Sequence, residues 1–288
     1  MTDDRCARRR QLRMFARLVS MYCVDRVEIR RDGVTLSCLH GGSGHPVVLL
    51  HGLAGSAHEM VPTAESLLSA GYRVIVVDQR GHGCSTRRPN DLSRRAYIHD
   101  VVAVVEELAA GGPASLVGQS MGGHTAMLVA ACRPVLVRRL VLLEAGVGGG
   151  TAEDYPAKLG EWFASWPVPF PNAAAAVEFL GSTPIARSWV RDLEQRADGL
   201  WPRFEPDVMQ DAIAAVAQQA RWEEWRRVEA PTMLISGQSS TLEVAEVRQM
   251  LALHPDVQHV VIPDAGHDVH LEQHRAWVHN LKAFLDCR

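Results

Sequence analysis

Residues Leu116–Ala126 read LVGQSMGGHTA, a strand that turns into a helix through a single serine. The stretch Ala114–Gln119 is short, apolar and suited to a strand buried on both faces. From Gly122 the pattern reads as a helix, stopped by Pro134. Between them stands Gly118-Gln119-Ser120-Met121-Gly122, a G-x-S-x-G turn. Each part of that turn has a physical use. A cramped backbone at the serine pushes its hydroxyl out over the sheet edge. Glycines on either side let strand and helix come close. The new helix aims its free amide donors and positive dipole end at the same place. A lone G-x-S-x-G is a weak signal, but here the strand and helix it requires are both present. Ser120 is therefore the candidate nucleophile.

The flanking sequence repeats this strand–helix rhythm. Val27–Gly42 alternates around Asp32-Gly33 and reads as an antiparallel hairpin. Pro46–Gly52 and Tyr72–Gly83 each open with a buried strand, with the helix Ala57–Gly71 between them. Tyr97, Val101, Val104, Val105 and Leu108 share one face of a helix capped near Ser93. A further strand, Val137–Gly146, follows Pro134. Alternating strands and helices with short links predict a parallel, doubly wound α/β sheet with right-handed crossovers. From Val147 to about Trp225 the rhythm is lost and four helical stretches are expected. It resumes with the strands PTMLISG and VQHVVIP, each followed by a helix. The expected organisation is a core of residues 1–146 and 226–288, with 1–25 as an N-terminal helical extension. Residues 147–225 form a helical lid inserted after the sixth core strand, over the sheet's carboxyl edge, where such sheets bind ligands. In the extension, Leu12, Met14, Phe15, Leu18 and Met21 line one helical face.

Bulk properties exclude several classes. The net charge of −3 gives no reason to expect a nucleic-acid partner. Six cysteines lie without metal-ligand spacing or a disulfide pattern. No apolar run reaches the ~18 residues of a membrane span, and the arginine-rich N-terminus lacks the apolar stretch of a secretory signal. A reduced, cytoplasmic protein is expected.

Four stretches together resemble the α/β-hydrolase family: HGLAGS (His51–Ser56), DQRGHGCS (Asp78–Ser85), GQSMGG (Gly118–Gly123) and DAGHDVH (Asp264–His270). The likeness runs from about Val27 nearly to the end of the chain. It implies an oxyanion hole made by the Leu53 and Met121 N–H groups. It also implies a catalytic base just after the last strand, which here is His267. His51, His82, Asp78 and Arg80 belong to loop-holding motifs, and His270 and His274 are expected at the surface of the final helix.

One family feature is missing. The acid that orients the histidine usually follows the strand PTMLISG in a G-x-x-D pattern, but this chain reads Gly237-Gln238-Ser239-Ser240. Some members of the fold take the acid from the end of the preceding core strand, and VLLEAG puts Glu144 there. A lone glutamate at the tip of an apolar strand is not expected to be buried without a partner. Glu144 is thus the expected third triad member, with a loop-holding role, or Asp264 or Asp268 in its place, as the alternatives.

Six of the seven tryptophans fall in the insertion or at its end. Most are expected to build a small lid core. Trp162, Trp166, Phe170, Trp189 and Met209 are the candidates for an apolar substrate pocket. Charges in the insertion are mixed in sign, so an uncharged, moderately hydrophobic ester, lactone or related acyl substrate is expected, with no metal or organic cofactor. Carbon–carbon bond hydrolysis or cofactor-free lyase chemistry uses the same residues. A non-catalytic receptor on the same scaffold is the rival from another class, favoured only by the lost aspartate.

Overall fold

The computed structural model describes residues 24–150 and 152–287. The expected N-terminal helix lies outside the described residues up to position 23. Asp25, placed at its end, instead opens the first strand.

Eight strands form the main sheet: β1 (Asp25–Arg31), β2 (Val34–Gly41), β3 (Pro46–Leu50), β4 (Arg73–Asp78), β5 (Ala114–Gln119), β6 (Val137–Leu143), β9 (Thr232–Gly237) and β10 (Gln258–Ile262). Their order is β1-β2-β4-β3-β5-β6-β9-β10. The hairpin β1–β2 joins β4 antiparallel, and every other pair is parallel. Residue parity sorts the core into two layers, because successive strand side chains point to opposite faces. Val48, Leu50, Leu116 and Leu142 pack with α2 (Arg94–Leu108) and α3 (Met121–Cys132). Val47, Leu49, Val117 and Val141 pack with α1 (Ala57–Ser69) and the C-terminal helix α11 (His274–Asp286) on the other face. Both sheet faces are covered, as the unbroken apolar strands predict.

The chain leaves β3 toward β4, then returns to the other side of β3 as β5. That reversal opens a crevice at the carboxyl ends of the central strands. Leu50 pairs with Gly118, Gly118 with Leu142, and Leu143 with Ile235, so four strands end level with one another. The loops after them meet at one edge.

Between β6 and β9 lie α4 (Tyr155–Ala164), α5 (Ala173–Leu180), α6 (Pro184–Asp192), α7 (Pro206–Ala217) and α8 (Trp222–Arg226). A two-stranded hairpin, β7 (Glu194–Arg196) with β8 (Gly199–Trp201), interrupts them. This corrects two expectations. The helix read through Ala197 ends at Asp192, because Leu193 turns to an extended conformation. Gln195 then pairs with Leu200. The single helix read through Asp207–Val228 breaks after Ala217, and Arg221 starts a second one. The segment is tied to the core by contacts of one sense, bases on the core and acids on the segment: His58 to Asp192 at 2.6 Å, Arg87 to Glu194 at 3.0 Å and Arg88 to Asp207 at 2.7 Å. Such partly exposed pairs add little stability, but their common polarity fixes orientation. The remaining helices are α9 (Val244–Leu253) and the short α10 (Val269–Glu272). Among the described residues no helix is long and apolar enough to cross a membrane.

At Gly118 a methyl group would lie 2.3 Å from the Gly122 carbonyl oxygen and 2.4 Å from the Gly123 nitrogen. Backbone there cannot yield without moving α3. Gly118→Ala should therefore cost about 1–3 kcal/mol through overpacking. The thermal midpoint should fall, and an unchanged midpoint would contradict this close approach.

Candidate active site

Six non-glycine residues among those described have positive φ, and four of them stand in the loops at the sheet's carboxyl edge: Ala54, Ser120, Glu144 and Asp264. Left-handed backbone costs an L-residue free energy, so its concentration at one edge marks a site that the surrounding packing enforces.

Ser120 has φ 49° and ψ −118° at the N-cap of α3. Its N–H donates to the Leu143 carbonyl at 2.9 Å, pinning the turn to β6. Met121 is the first helical residue, so its N–H has no partner within the helix. Leu53 lies in the facing loop, which is fixed from below. His51 Nδ1 bonds the Gly52 carbonyl at 2.7 Å, and the Gln79 side-chain amide donates to the His51 carbonyl at 2.6 Å. Gly52 is pressed so close to Gln119 that an added Cβ would lie 2.0 Å from its Oε1. Asp78 braces the start of α1 by accepting from the Ala57 N–H at 2.7 Å. Arg80 makes two 2.6 Å bonds to buried Asp100. These residues hold loops.

His267 sits on the loop between β10 and α10. Its Nδ1 lies 2.9 Å from Thr241 Oγ1 and 3.3 Å from Glu144 Oε2. A carboxylate only accepts, so the proton is on Nδ1 and Nε2 is left free as a base. The Gln119 side chain donates to the His267 carbonyl at 3.2 Å, tying the histidine loop to the residue before Ser120. Among the described residues no hydrogen bond joins the Ser120 hydroxyl to the His267 ring.

Glu144 is fully buried and has four donors besides the histidine. Oε1 accepts from the Gly237 N–H at 2.6 Å. Oε2 accepts from the Ser240 hydroxyl at 3.0 Å, the Thr241 N–H at 3.2 Å and the Thr241 hydroxyl at 3.5 Å. Burial alone would raise its pKa. The bonds from His267, Gly237 and Ser240 outweigh burial and hold the carboxyl below its ordinary range. Burial likewise pulls His267 down, but the Glu144 bond and the charge of Asp268 bring it above the usual histidine value. Ser240, at the position where the family carries aspartate, thus serves the glutamate as a donor. An aspartate there would set two negative charges against each other. Asp264 and Asp268 make no bond to the ring.

The sequence reading passed over Thr241, although the hydroxyl run Ser239-Ser240-Thr241 beside the missing acid was the available signal. It also misplaced His270. That residue is buried, with Nε2 2.8 Å from Glu59 Oε1, and it locks the histidine loop to α1. His274 is half-buried at the start of α11.

The five pocket candidates separate. The rings of Trp166 and Trp189 meet at a tilt, 5.6 Å apart, and line a narrow cleft with Ala54, Gly55 and Phe204. Trp162 is 42 % exposed at the outer edge of the same aromatic group. Phe170 and Met209 are buried in the core of the inserted segment, packed with Phe163 and Val208. Leu53 and Ala54 belong to that cluster too, so the segment rests directly on the loop facing Ser120.

Known proteins resemble this chain in sequence and fold. The sn-1-specific diacylglycerol lipase ABHD11 of Mus musculus is 28% identical over 274 residues, covering 91% of this chain and 88% of its own. The 2-(acetamidomethylene)succinate hydrolase of Mesorhizobium japonicum is 29% identical over 263 residues, covering 85% and 88%. A crystal structure of E-2-(acetamidomethylene)succinate hydrolase superposes with a TM-score of 0.81 at 25% identity, over 92% of this chain and 100% of that one. The family model described as the alpha/beta hydrolase fold matches residues 45–273. With the Ser120 turn, the histidine loop and the parallel strands β3–β6, β9 and β10 inside that match, the chain belongs to the α/β-hydrolase fold family and is a hydrolase.

Proposed function

We propose that the protein is a serine hydrolase that cleaves an ester, lactone or related acyl compound of moderate hydrophobicity through an acyl-enzyme on Ser120. His267 Nε2 takes the Ser120 proton as the hydroxyl attacks the carbonyl. The Leu53 and Met121 N–H groups receive the oxyanion. His267 then delivers the proton to the leaving group, activates water and restores the serine. Glu144 holds the imidazole in the right tautomer and stabilises its charged form. Serine–histidine bonds of this kind tighten once substrate is bound. Residues 147–225 act as the lid. Trp166 and Trp189 beside Ala54 supply an apolar wall.

The observation that carries this reading is the ionised, fivefold-bonded Glu144 carboxylate 3.3 Å from His267 Nδ1. So much desolvated polarity at one point, supporting one imidazole, is hard to account for in a binding protein. The relatives' names span lipase, deformylase and esterase activities. That spread fits one shared acyl-transfer apparatus with different pockets.

A fluorophosphonate probe should label Ser120, and Ser120→Ala should abolish labelling. A folded wild-type protein that resists the probe would point to the receptor reading instead. Glu144→Gln keeps the shape and removes the charge, so kcat should fall roughly 10³–10⁴-fold. Turnover of p-nitrophenyl esters near the wild-type rate would remove Glu144 from the mechanism. The pH profile gives a second readout. The negative charge favours protonated His267, so the acidic limb of kcat/KM should lie above the ordinary histidine value. In Glu144→Gln that limb should move to lower pH. An unmoved limb would mean that the carboxylate does not act on this imidazole.

A further inference from the structure

Arg94, the first residue of α2, is buried beside the nucleophile turn. One of its nitrogens, Nη2, donates to the Thr125 hydroxyl and reaches the Met121 carbonyl at 3.5 Å. The guanidinium carbon lies 4.4 Å from the centre of the Tyr97 ring. Its other two nitrogens, Nε and Nη1, are buried with no partner, and among the described residues no carboxylate pairs with it.

Two more basic side chains lie close behind. Buried His124 has only the Val147 carbonyl beside its ring, and Arg221 Nε is also buried and unpaired. The Val147 carbonyl beside His124 already accepts from the Arg221 amide at 2.8 Å. Arg221 has one acid of its own, Glu224 at 3.2 Å, whereas Arg94 has none. Burial, then the charges of Arg94 and Arg221, pushes His124 well below the ordinary histidine value, so it is a neutral donor. Burial lowers Arg94 itself to about 10, which still leaves it charged at neutral pH. An unpaired buried guanidinium is among the costliest groups a fold can keep. A water could satisfy its hydrogen bonds, but only an anion balances its charge.

Location narrows the anion. Tyr97, Met121 and Ala212 of α7 form a small buried cluster, with Leu53 packed against it. Arg94 therefore lies behind the two residues whose amides face the reacting carbonyl, where the inserted segment meets the core. That junction is rich in glycine. Gly148, Gly149 and Gly150 all have positive φ, and the Gly149 N–H donates to the Val216 carbonyl at 3.0 Å at the other root of the segment. An added Cβ on Gly148 would lie 3.0 Å from His124 Nε2, so the glycine run rests on the basic cluster. Access of a ligand to buried Arg94 requires rotation about these glycines.

We propose that Arg94, supported by His124 and Arg221, binds a carboxylate carried on the acyl part of the substrate. The substrate is then the monoester, lactone or amide of a short dicarboxylic acid rather than a neutral ester. This rests on the serine-hydrolase reading above and amends the expectation of an uncharged substrate, which weighed only the insertion's own charges. Arg94 comes from α2, outside the insertion.

The test compares p-nitrophenyl hemiglutarate with p-nitrophenyl valerate, which has a neutral acyl chain of the same length. Wild type should favour the hemiester at least tenfold in kcat/KM. Arg94→Met should lower that ratio at least tenfold, and Arg94→Lys should recover part of it. In parallel, glutarate should raise the thermal midpoint of Ser120→Ala and fail to do so in Ser120→Ala/Arg94→Met. A wild-type preference for the neutral ester, or an unchanged ratio in a folded Arg94→Met protein, overturns the proposal. Glutarate binding that depends on Arg94 without any kinetic preference overturns it too, by making this a site for a free acid. Full turnover in Ser120→Ala would sink the nucleophile assignment, while Arg94-dependent glutarate binding would still stand on its own.

Discussion

A single desolvated carboxylate organises the candidate active site of this protein. Glu144 ends β6 with positive φ, and its two oxygens gather a backbone amide at the end of β9, two hydroxyls and an amide of the next loop, and the His267 ring. Removing such a charge from water is costly, and only a nearly complete set of donors offsets that cost. The loop after β9 is thus shaped by the glutamate it serves. Gln238 and Ser239 pass the constraint on through backbone bonds to Ile262 and Ala265, which hold the histidine loop. Moving the acid from one strand to its neighbour preserves the reach to the imidazole because β6 and β9 are adjacent and end level.

Around that charge the scaffold is rigid and apolar. Elements on both faces of the sheet clamp the strands, while His51, Gln79, Asp78 and Gly52 fix the loop opposite the serine by contacts that leave almost no free space. A preorganised donor pair works only if its geometry does not relax when negative charge develops. The buried Glu59–His270 pair does the same for the histidine loop from underneath.

Most of the core was legible in the sequence because its signals are local. Unbroken apolar runs mark strands covered on both sides, and Gly118, Ser120 and Gly122 mark the turn by their own conformational needs. Glu144 was legible for a different reason: a charge at the tip of an apolar strand calls for a partner. Thr241 and His270 were missed because their roles depend on what packs against them from distant parts of the chain. The inserted segment was read least well. Its helix limits are set by contacts such as the pairing of Gln195 with Leu200, and short amphipathic stretches do not encode those alone. Arg94 is one of an arginine pair at the start of a helix. Nothing in the sequence says which of Arg94 and Arg95 turns inward.

The place of the acid in chain order has a further consequence. Glu144 stands only four residues before the glycine run at the root of the inserted segment, whereas an acid after β9 would lie beyond the segment altogether. Strain from a remodelled insertion would therefore reach the proposed proton-handling residues directly. Evolution of new specificity on this scaffold is freer when those glycines absorb the change, which gives the short tract Gly148–Gly150 the part of a mechanical fuse between recognition and chemistry.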